Sequence, residues 1–584
     1  MGATKAESRR SDDFIGNQLE FALYFGSNGR DNFLMAGSVP STQRWLYGPT
    51  PDLLFGCGLL YAVLFAVFAF AGPAAREFHP AYLIPLLMIL LSTPHYGATL
   101  LRVYEHGADR RAYAFFTVWL TVALCVLFVV AVYVNWVGTM MLTLYLTWSP
   151  WHYTGQNYGV AVMFLRRGGV ALPDDTKRWL YASFILSYVL LFFVMHGREP
   201  ISTSGNPYFV NGGVHLTYLG IPDAISSVAI PVAGFAYLVA LAVTWTRLLK
   251  LASFRELLPV AMLCLTQALW FAIPEAARYW QFHGGLDVIN FDYRTYYFSW
   301  IVFGHAIQYL WITAYFAKAA DDWKGHGRFW GKTLLIGNAM WMLPAMILTP
   351  DGFGSLTYDL GLGLLVASFV NLHHFVLDGA IWKLRSSRIA KVLIRSAKDD
   401  REARSEGSQA SPWTPMLIWG FAAVLLLGTG VEFYERQVRI PAALGSGAFE
   451  AAGESLDRMA WLAKDSAQAR VELGRELMRA NRIEAAEVQY QRSIDLQPGM
   501  EANAAIGEIR ARSGRWQDAL DAYAAALAID PSHAGMMSLV AGAHLSLGQL
   551  DKAQAQFEHA LRLSPGLETA RSGLARIAQM RSAQ

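Results

Sequence analysis

Charged residues are scarce in this sequence. Asp, Glu, Lys and Arg make up 16% of the 584 residues, whereas hydrophobic residues make up 54%. An average soluble domain has roughly a quarter of its residues charged, so the composition excludes a simple soluble globular protein and predicts a chain embedded in a lipid bilayer. The net charge of +3 is too small to indicate nucleic-acid binding.

Cysteine is rarer still. The three cysteines, Cys57, Cys125 and Cys264, all fall within apolar runs. A disulfide framework and a cysteine-based zinc site are therefore excluded. A cleaved signal peptide is not expected, because residues 1–51 lack a basic segment followed by an apolar segment and small residues.

Long apolar runs, in contrast, are abundant. A helix needs about 20 mostly apolar residues to cross a bilayer. The sequence therefore predicts an all-α, polytopic transmembrane helix bundle over 52–440, preceded by a cytoplasmic N-terminal segment, 1–51. The bundle is expected to have about eleven spans: 52–72, 80–102, 112–134, 136–164, 176–196, 226–248, 256–275, 294–318, 331–350, 355–384 and 414–432.

The basic residues indicate the orientation of these spans. Short cytoplasmic connections retain Lys and Arg, and alternate connections of this chain are basic, the largest cluster running from Lys383 through Arg404. The N-terminus is therefore expected in the cytoplasm, and an odd number of spans puts the C-terminus in the periplasm. The predicted location is the bacterial inner membrane, with the lipid bilayer as the first partner.

The C-terminal part of the chain is internally repetitive. A small residue, an alanine, an aromatic and a proline recur with steps of 33 and 34 residues: Gly474, Ala486, Tyr490 and Pro498, then Gly507, Ala519, Tyr523 and Pro531, then Ala541, Ala553, Phe557 and Pro565. The pattern resembles the tetratricopeptide repeat. It implies a soluble α-solenoid over 466–584, joined to the bundle by a linker, 441–465, that binds a periplasmic protein or peptide.

Five histidines lie inside the expected spans: His95, His152, His305, His373 and His374. Ionisable residues in a bilayer are costly and are functional-site candidates by default. Counted from the cytoplasmic helix ends, these histidines share a layer roughly 10 to 20 Å deep. This common depth predicts one site built by four helices. Of the adjacent pair, His374 is favoured over His373 because it shares a helix face with Asp378.

The donor types favour a transition metal. Several neutral imidazoles without thiolates suit iron, zinc or copper better than magnesium or calcium. A metal-bound imidazole needs a partner that holds its other N–H, and Asp378, Gln156, Gln308 and Arg102 are the expected partners near these histidines. The alternatives are a proton relay without metal and structural polar contacts between helices.

Three short strings carry a family resemblance: PHYG (94–97), WHYTG (151–155) and GHAIQYLW (304–311). They resemble the histidine-centred strings of the Brp/Blh-like membrane carotene dioxygenases. Those enzymes hold a non-haem iron on transmembrane histidines and cleave β-carotene with O₂. The resemblance implies that His95, His152, His305 and one of His373 and His374 are iron ligands.

Three functional interpretations follow. The favoured one is a membrane-bound, metal-dependent oxidoreductase, a non-haem iron oxygenase that uses O₂ on a lipophilic small molecule. The second is a lipid-linked glycosyl or other group transferase, although the first outer loop offers only Glu77 as an acidic residue. The third is a transporter or assembly scaffold whose histidines relay protons.

Overall fold

The described part of the protein is almost entirely helical, as the sequence predicts. The computed structural model describes residues 44–70, 82–104, 114–197, 214–276, 298–319, 323–382 and 413–582. Within these ranges there is no β-strand, only an isolated parallel bridge between Gly197 and Ile221. Glu77, the basic cluster from Lys383 through Arg404 and most of the N-terminal segment lie outside the described residues.

The bundle is formed by the helices that precede the repeats. In chain order these are α1 (Pro49–Gly56), α2 (Leu59–Phe70), α3 (Leu83–Tyr104), α4 (Phe115–Tyr133), α5 (Asn135–Arg167), α6 (Asp174–His196), α7 (Asp223–Leu251), α8 (Phe254–Phe271), α9 (Phe298–Lys318), α10 (His326–Ile347), α11 (Gly363–Ile381) and α12 (Met416–Gly445).

The expected eleven spans are not confirmed. Among the described residues, seven helices are long and apolar enough to cross a membrane, or eight if α1 and α2 form one span bent by 60°. The helices that do not qualify are α5, α9 and α10. Their polar residues, such as His152 in α5, His305 in α9 and Asn338 in α10, lower the mean hydropathy of otherwise apolar sequence.

Helix α11 lies at the centre of the bundle. In its most apolar stretch 83% of the residues are buried within the protein, compared with 22% in α4 and 17% in α7. Phe369 of α11 stacks on Phe128 of α4 with ring centroids 5.0 Å apart. A helix that is apolar all round and enclosed by others is expected to face protein on every side, so α11 can present residues to several neighbours at once.

Helices α3 and α10 approach each other unusually closely. A Cβ atom added to Gly97 of α3 would lie 2.0 Å from the carbonyl oxygen of Thr333, and one added to Gly337 of α10 would lie 1.9 Å from that of Thr93. Only glycine fits where two helix backbones meet at this distance. The contact fixes the N-terminal half of α3, which contains His95.

The expected linker, 441–465, is largely helical. It forms the end of α12 and a further helix, α13 (Phe449–Trp461). Leu456 and Met459 of α13 are buried with Leu473 and Leu477 of the first repeat helix. An amphipathic helix with an apolar face to bury packs against its neighbour, so this segment extends the solenoid.

Seven helices follow and form the repeat domain: α14 (Ala467–Arg479), α15 (Ile483–Leu496), α16 (Met500–Arg512), α17 (Trp516–Ile529), α18 (Ala534–Ser546), α19 (Leu550–Leu563) and α20 (Glu568–Ser582). The small residues and aromatics of the repeat pattern meet between paired helices. A Cβ atom at Gly474 would lie 2.8 Å from the Tyr490 ring, and one at Gly507 would lie 2.4 Å from the Tyr523 ring.

The repeat domain contacts the connection between α10 and α11. The Oγ1 hydroxyl of Thr357 donates a hydrogen bond to Oε1 of Gln497 at 2.9 Å, and the Ser466 hydroxyl donates to Asp359. Lys464 is buried at the same contact, with Nζ 3.5 Å from Glu432 and 3.1 Å from the Tyr358 ring centroid. This burial lowers the pKa of Lys464 to about 8. The repeats and this connection therefore lie on one side of the bundle.

Candidate metal centre

Four of the five expected histidines meet inside the bundle. They come from different helices: His95 from α3, His152 from α5, His305 from α9 and His374 from α11. His95, His305 and His374 are 2%, 1% and 2% exposed, and the His152 side chain is 12% exposed. Four imidazoles from sequence-distant helices thus form one buried cluster.

The four rings form a quadrilateral. The rings of His95 and His152 each contact the rings of His305 and His374. Ring centroids are 4.8 Å and 4.2 Å apart from His95 to His305 and His374, and 5.1 Å and 5.0 Å apart from His152 to the same two residues. The His305 and His374 rings lie across from each other, 6.4 Å apart. Nε2 of His95 and Nε2 of His305 lie 3.1 Å apart.

A carboxylate completes the cluster. Oδ2 of Asp378 lies 3.5 Å from Nε2 of His374 and 3.9 Å from Nε2 of His152. Its other oxygen, Oδ1, accepts hydrogen bonds from the Tyr309 hydroxyl at 2.7 Å and the Thr99 hydroxyl at 3.2 Å. With Oδ1 held in this way, Oδ2 faces the histidines. Asp378 is therefore placed as a possible metal ligand as well as a partner for an imidazole.

The adjacent histidines point in different directions. Nδ1 of His374 hydrogen-bonds the Thr99 hydroxyl at 2.8 Å, so its Nε2 faces the cluster. Nε2 of His373 instead hydrogen-bonds the Thr121 hydroxyl of α4 at 2.9 Å. Consecutive helical residues point about 100° apart, and here the two rings face different neighbouring helices. His373 is therefore not part of the cluster.

The expected amide partners have other roles. Nε2 of Gln156 donates to Oε1 of Gln308 at 2.6 Å and to the backbone carbonyl of His305 at 3.4 Å. Nε2 of Gln308 donates to the carbonyl of Gly56 at 2.7 Å and to Asn157 at 3.1 Å. These bonds tie α5 to α9 and α1 beside the cluster, and they do not hold the imidazole rings.

Arg102 likewise has a different contact. Its guanidinium lies 4.4 Å from the centroid of the Phe316 ring on α9. A cation over an aromatic face is attracted by the ring quadrupole, so Arg102 links the ends of α3 and α9. This contact lies two helical turns along α3 from His95.

Two residues beside the cluster were not expected from the sequence. Thr99 and Tyr309 hold Asp378, and their hydroxyl oxygens are 2.6 Å apart. The spacing in the sequence does indicate them, because Thr99 follows His95 by four residues and Tyr309 follows His305 by four. Residues four apart share a helix face, which is the same spacing that pointed to Asp378 after His374.

The donor set fits a transition metal. Two overlapping groups have ligand atoms within 4.8 Å of one another: His95, His305 and His374, and then His152, His374 and Asp378. Neither Nε2 of His152 nor Nε2 of His374 has a hydrogen-bond partner among the described residues. A buried polar atom without a partner is costly, and a cation between these nitrogens would provide one. Two imidazoles with one carboxylate are a known ligand set for non-haem iron.

Comparison with known proteins identifies the repeats. A family model described as a tetratricopeptide repeat matches residues 510–577. This confirms the repeat predicted from the spacing of small and aromatic residues. No curated protein sequence matches the chain.

Solved structures with similarity to part of the chain include tetratricopeptide domains. The second such domain of human RPAP3, in complex with an HSP70 peptide, is 21% identical, covers 19% of this chain and 98% of its own, with a TM-score of 0.19. A crystal structure of MamA is 18% identical, covering 26% and 83%, with a TM-score of 0.24. MamA from Desulfovibrio magneticus RS-1 is 19% identical, covering 26% and 97%, with a TM-score of 0.21.

Proposed function

We propose that the protein is an integral membrane, metal-dependent oxidoreductase, a non-haem iron oxygenase that acts on a lipophilic substrate. One observation carries this proposal: four imidazoles and the Asp378 carboxylate converge in the interior of a bundle of apolar helices. Placing that many ionisable groups in such an interior is costly, and a bound metal ion offsets the cost. Zinc and copper are the alternative metals.

The residues of the chain would act by holding and enclosing the metal. His95, His152, His305, His374 and Asp378 would hold it. When bound, iron supplies the binding and activation of O₂. The Phe375 ring stacks on His152 at 4.5 Å, and the Tyr153 ring lies 4.1 Å from His305. These rings would exclude water from the site.

The proposed location is the bacterial inner membrane. Support comes from the seven or eight helices that are long and apolar enough to span a bilayer and from the basic alternate connections of the sequence. A bundle in this environment would admit a lipophilic substrate laterally from the lipid. The repeats would then lie in the periplasm.

For the repeats, we propose binding of a periplasmic protein or peptide. Tetratricopeptide solenoids have extended concave surfaces suited to this, and the match at residues 510–577 supports their presence here. A chain ending at Gly447 is expected to lose a discrete periplasmic protein that copurifies with the full chain. Copurification of the same protein with both forms would contradict this role.

A proton relay is the second candidate function. It is favoured by a chain of hydrogen bonds: His374 Nδ1 to Thr99 at 2.8 Å, Thr99 to Tyr309 at 2.6 Å and Tyr309 to Asp378 at 2.7 Å. Imidazole, hydroxyl and carboxylate groups in sequence can pass protons through a membrane interior. A relay needs no metal, which distinguishes it from the first proposal.

The two candidates make different predictions for purified protein. The oxygenase should consume O₂ when a long polyene such as β-carotene is supplied in detergent, and His374→Ala should abolish the consumption. The relay should move protons across liposomes after metal has been removed by a chelator. Proton movement without O₂ consumption would overturn the oxygenase proposal.

A further inference from the structure

Helix α12 and helix α13 form an antiparallel hairpin. Three ion pairs define their alignment: Arg439 with Glu454 at 3.5 Å, Arg458 with Glu435 at 2.7 Å, and Lys464 with Glu432 at 3.5 Å. As the chain runs along α13, it therefore returns toward the middle of α12. The end of α13, Trp461, lies level with the region of Glu432.

Glu432 marks where α12 stops being apolar. Residues 416–431 contain no Asp, Glu, Lys or Arg, and they span roughly 24 Å as a helix, most of the hydrocarbon thickness of a bilayer. The outward residues of this stretch are apolar: Leu417 is 71% exposed and Leu427 is also 71% exposed. The level of Glu432 is therefore the level at which lipid tails would give way to headgroups.

The end of α13 reaches this level. A methyl of Leu462 lies 3.7 Å from the position of a Cβ atom added to Gly428, one turn inside Glu432. Trp461, the residue before it, is 90% exposed. The described residues of the protein leave this large aromatic side chain uncovered, next to a lipid-facing helix.

Other exposed aromatics lie on the same side of the bundle. Tyr133 at the end of α4 is 56% exposed, Trp136 is 70% exposed and Phe353 is 79% exposed. The Tyr133 hydroxyl donates to the carbonyl of Phe353. Phe353 belongs to the same connection between α10 and α11 that the repeats contact. Tryptophan and tyrosine are enriched where a bilayer meets water because their rings are apolar and their N–H or O–H groups are polar.

We propose that Trp461 is an interfacial anchor: it inserts into the headgroup boundary of the lipid leaflet on the repeat-domain side and holds α13, and with it the repeats, against the bilayer. The partner of this surface is lipid. The inference rests on the membrane location proposed above and is independent of metal binding. It gives the repeats a fixed height over the membrane.

Spin labels on the full chain test the anchor. Cys125, the exposed cysteine, is replaced with Ala, and single cysteines are introduced by Trp461→Cys, Leu427→Cys and Val488→Cys. Leu427 is the control for lipid contact. Val488, on α15 of the repeats and 63% exposed, is the control for water. Each labelled protein is placed in vesicles of phosphatidylcholine and phosphatidylglycerol, and relaxation by O₂ is compared with relaxation by a water-soluble nickel chelate.

Oxygen concentrates in lipid and the nickel chelate in water. The ratio of O₂ to nickel accessibility at 461 is expected to be several-fold above that at 488 and below that at 427. A ratio at 461 equal to that at 488 would overturn the anchor while leaving the membrane location intact. Protection of 461 from both reagents would also overturn it, since protein would then cover the site. A water-like ratio at 427 would instead refute the membrane location.

Discussion

Nε2 of His95 and Nε2 of His305 lie 3.1 Å apart, although 210 residues separate them in the chain. Two imidazole nitrogens at this distance either share one proton or face a common cation. Because His374 and His152 lie beside the same pair, the cation is the arrangement that uses all four rings.

Ligand substitutions should distinguish the two histidines of α11. His374→Ala removes a nitrogen that faces the cluster, and the metal content of purified protein should fall to background. His373→Ala is the matched control, since this buried neighbour bonds Thr121 outside the cluster, and it should keep the metal. His95→Ala, His152→Ala and His305→Ala should behave as His374→Ala does. Equal metal loss from His373→Ala would show that the ligand assignment is wrong.

The role of Asp378, and of the hydrogen bond that Tyr309 donates to it, can be tested separately. Asp378→Asn should weaken metal affinity by about 10- to 100-fold, the usual effect of removing a group that orients a metal site. Tyr309→Phe removes the 2.7 Å hydrogen bond to Oδ1 of Asp378 and should have a smaller effect in the same direction. Tyr315→Phe, on the same helix, is the control. Titration with a competing chelator measures all three, and unchanged affinity in Asp378→Asn would exclude it from the site.

Reporter fusions test the orientation. A periplasm-active reporter fused after Gln584 should be active, and one inserted between residues 386 and 412 should be inactive, because short basic connections are retained in the cytoplasm. The reverse pattern would overturn the orientation and move the repeats to the cytoplasm.

Packing within the repeats gives a stability prediction. Gly507→Ala would bring a methyl 2.4 Å from the Tyr523 ring, and forcing the ring aside should destabilise the repeat domain by about 1–3 kcal/mol. Gly542→Ala is the control, since nothing lies within 4 Å of the added atom and alanine favours the helix by up to about 1 kcal/mol. Hydrogen exchange of the repeat amides in the full chain measures both. Equal changes in stability for the two variants would show that the contact between Gly507 and the Tyr523 ring does not constrain the packing of the repeats.

The sequence predicted the helical class and the repeats because both depend on local periodicity. It could not decide the number of spans. Polar residues that face the interior of the bundle, such as His152 and His305, lower the mean hydropathy of a helix whether or not that helix crosses the membrane. The helix α13 was predicted as a linker because its apolar face becomes apparent only when Leu456 meets Leu473.

The candidate site was partly predictable for the same physical reason. Depth along each span could group the histidines, whereas the rotation of a helix decides which residue faces the centre. Spacing pointed to His374 with Asp378, and the same spacing from His95 and His305 would have added Thr99 and Tyr309. Gln156 and Gln308 were expected at the rings, but amide groups bond equally well to one another and to backbone carbonyls, as they do between α5 and α9.

The metal content of the purified full-length protein tests the central claim most directly. Protein extracted in mild detergent, with its fold verified by a cooperative thermal transition, should contain about one iron, zinc or copper ion per chain. The ion should be lost in His374→Ala and retained in His373→Ala. Folded protein that holds less than one such ion per several chains, even after reconstitution with ferrous iron, would contradict the metal-centre account and leave the proton relay as the better proposal.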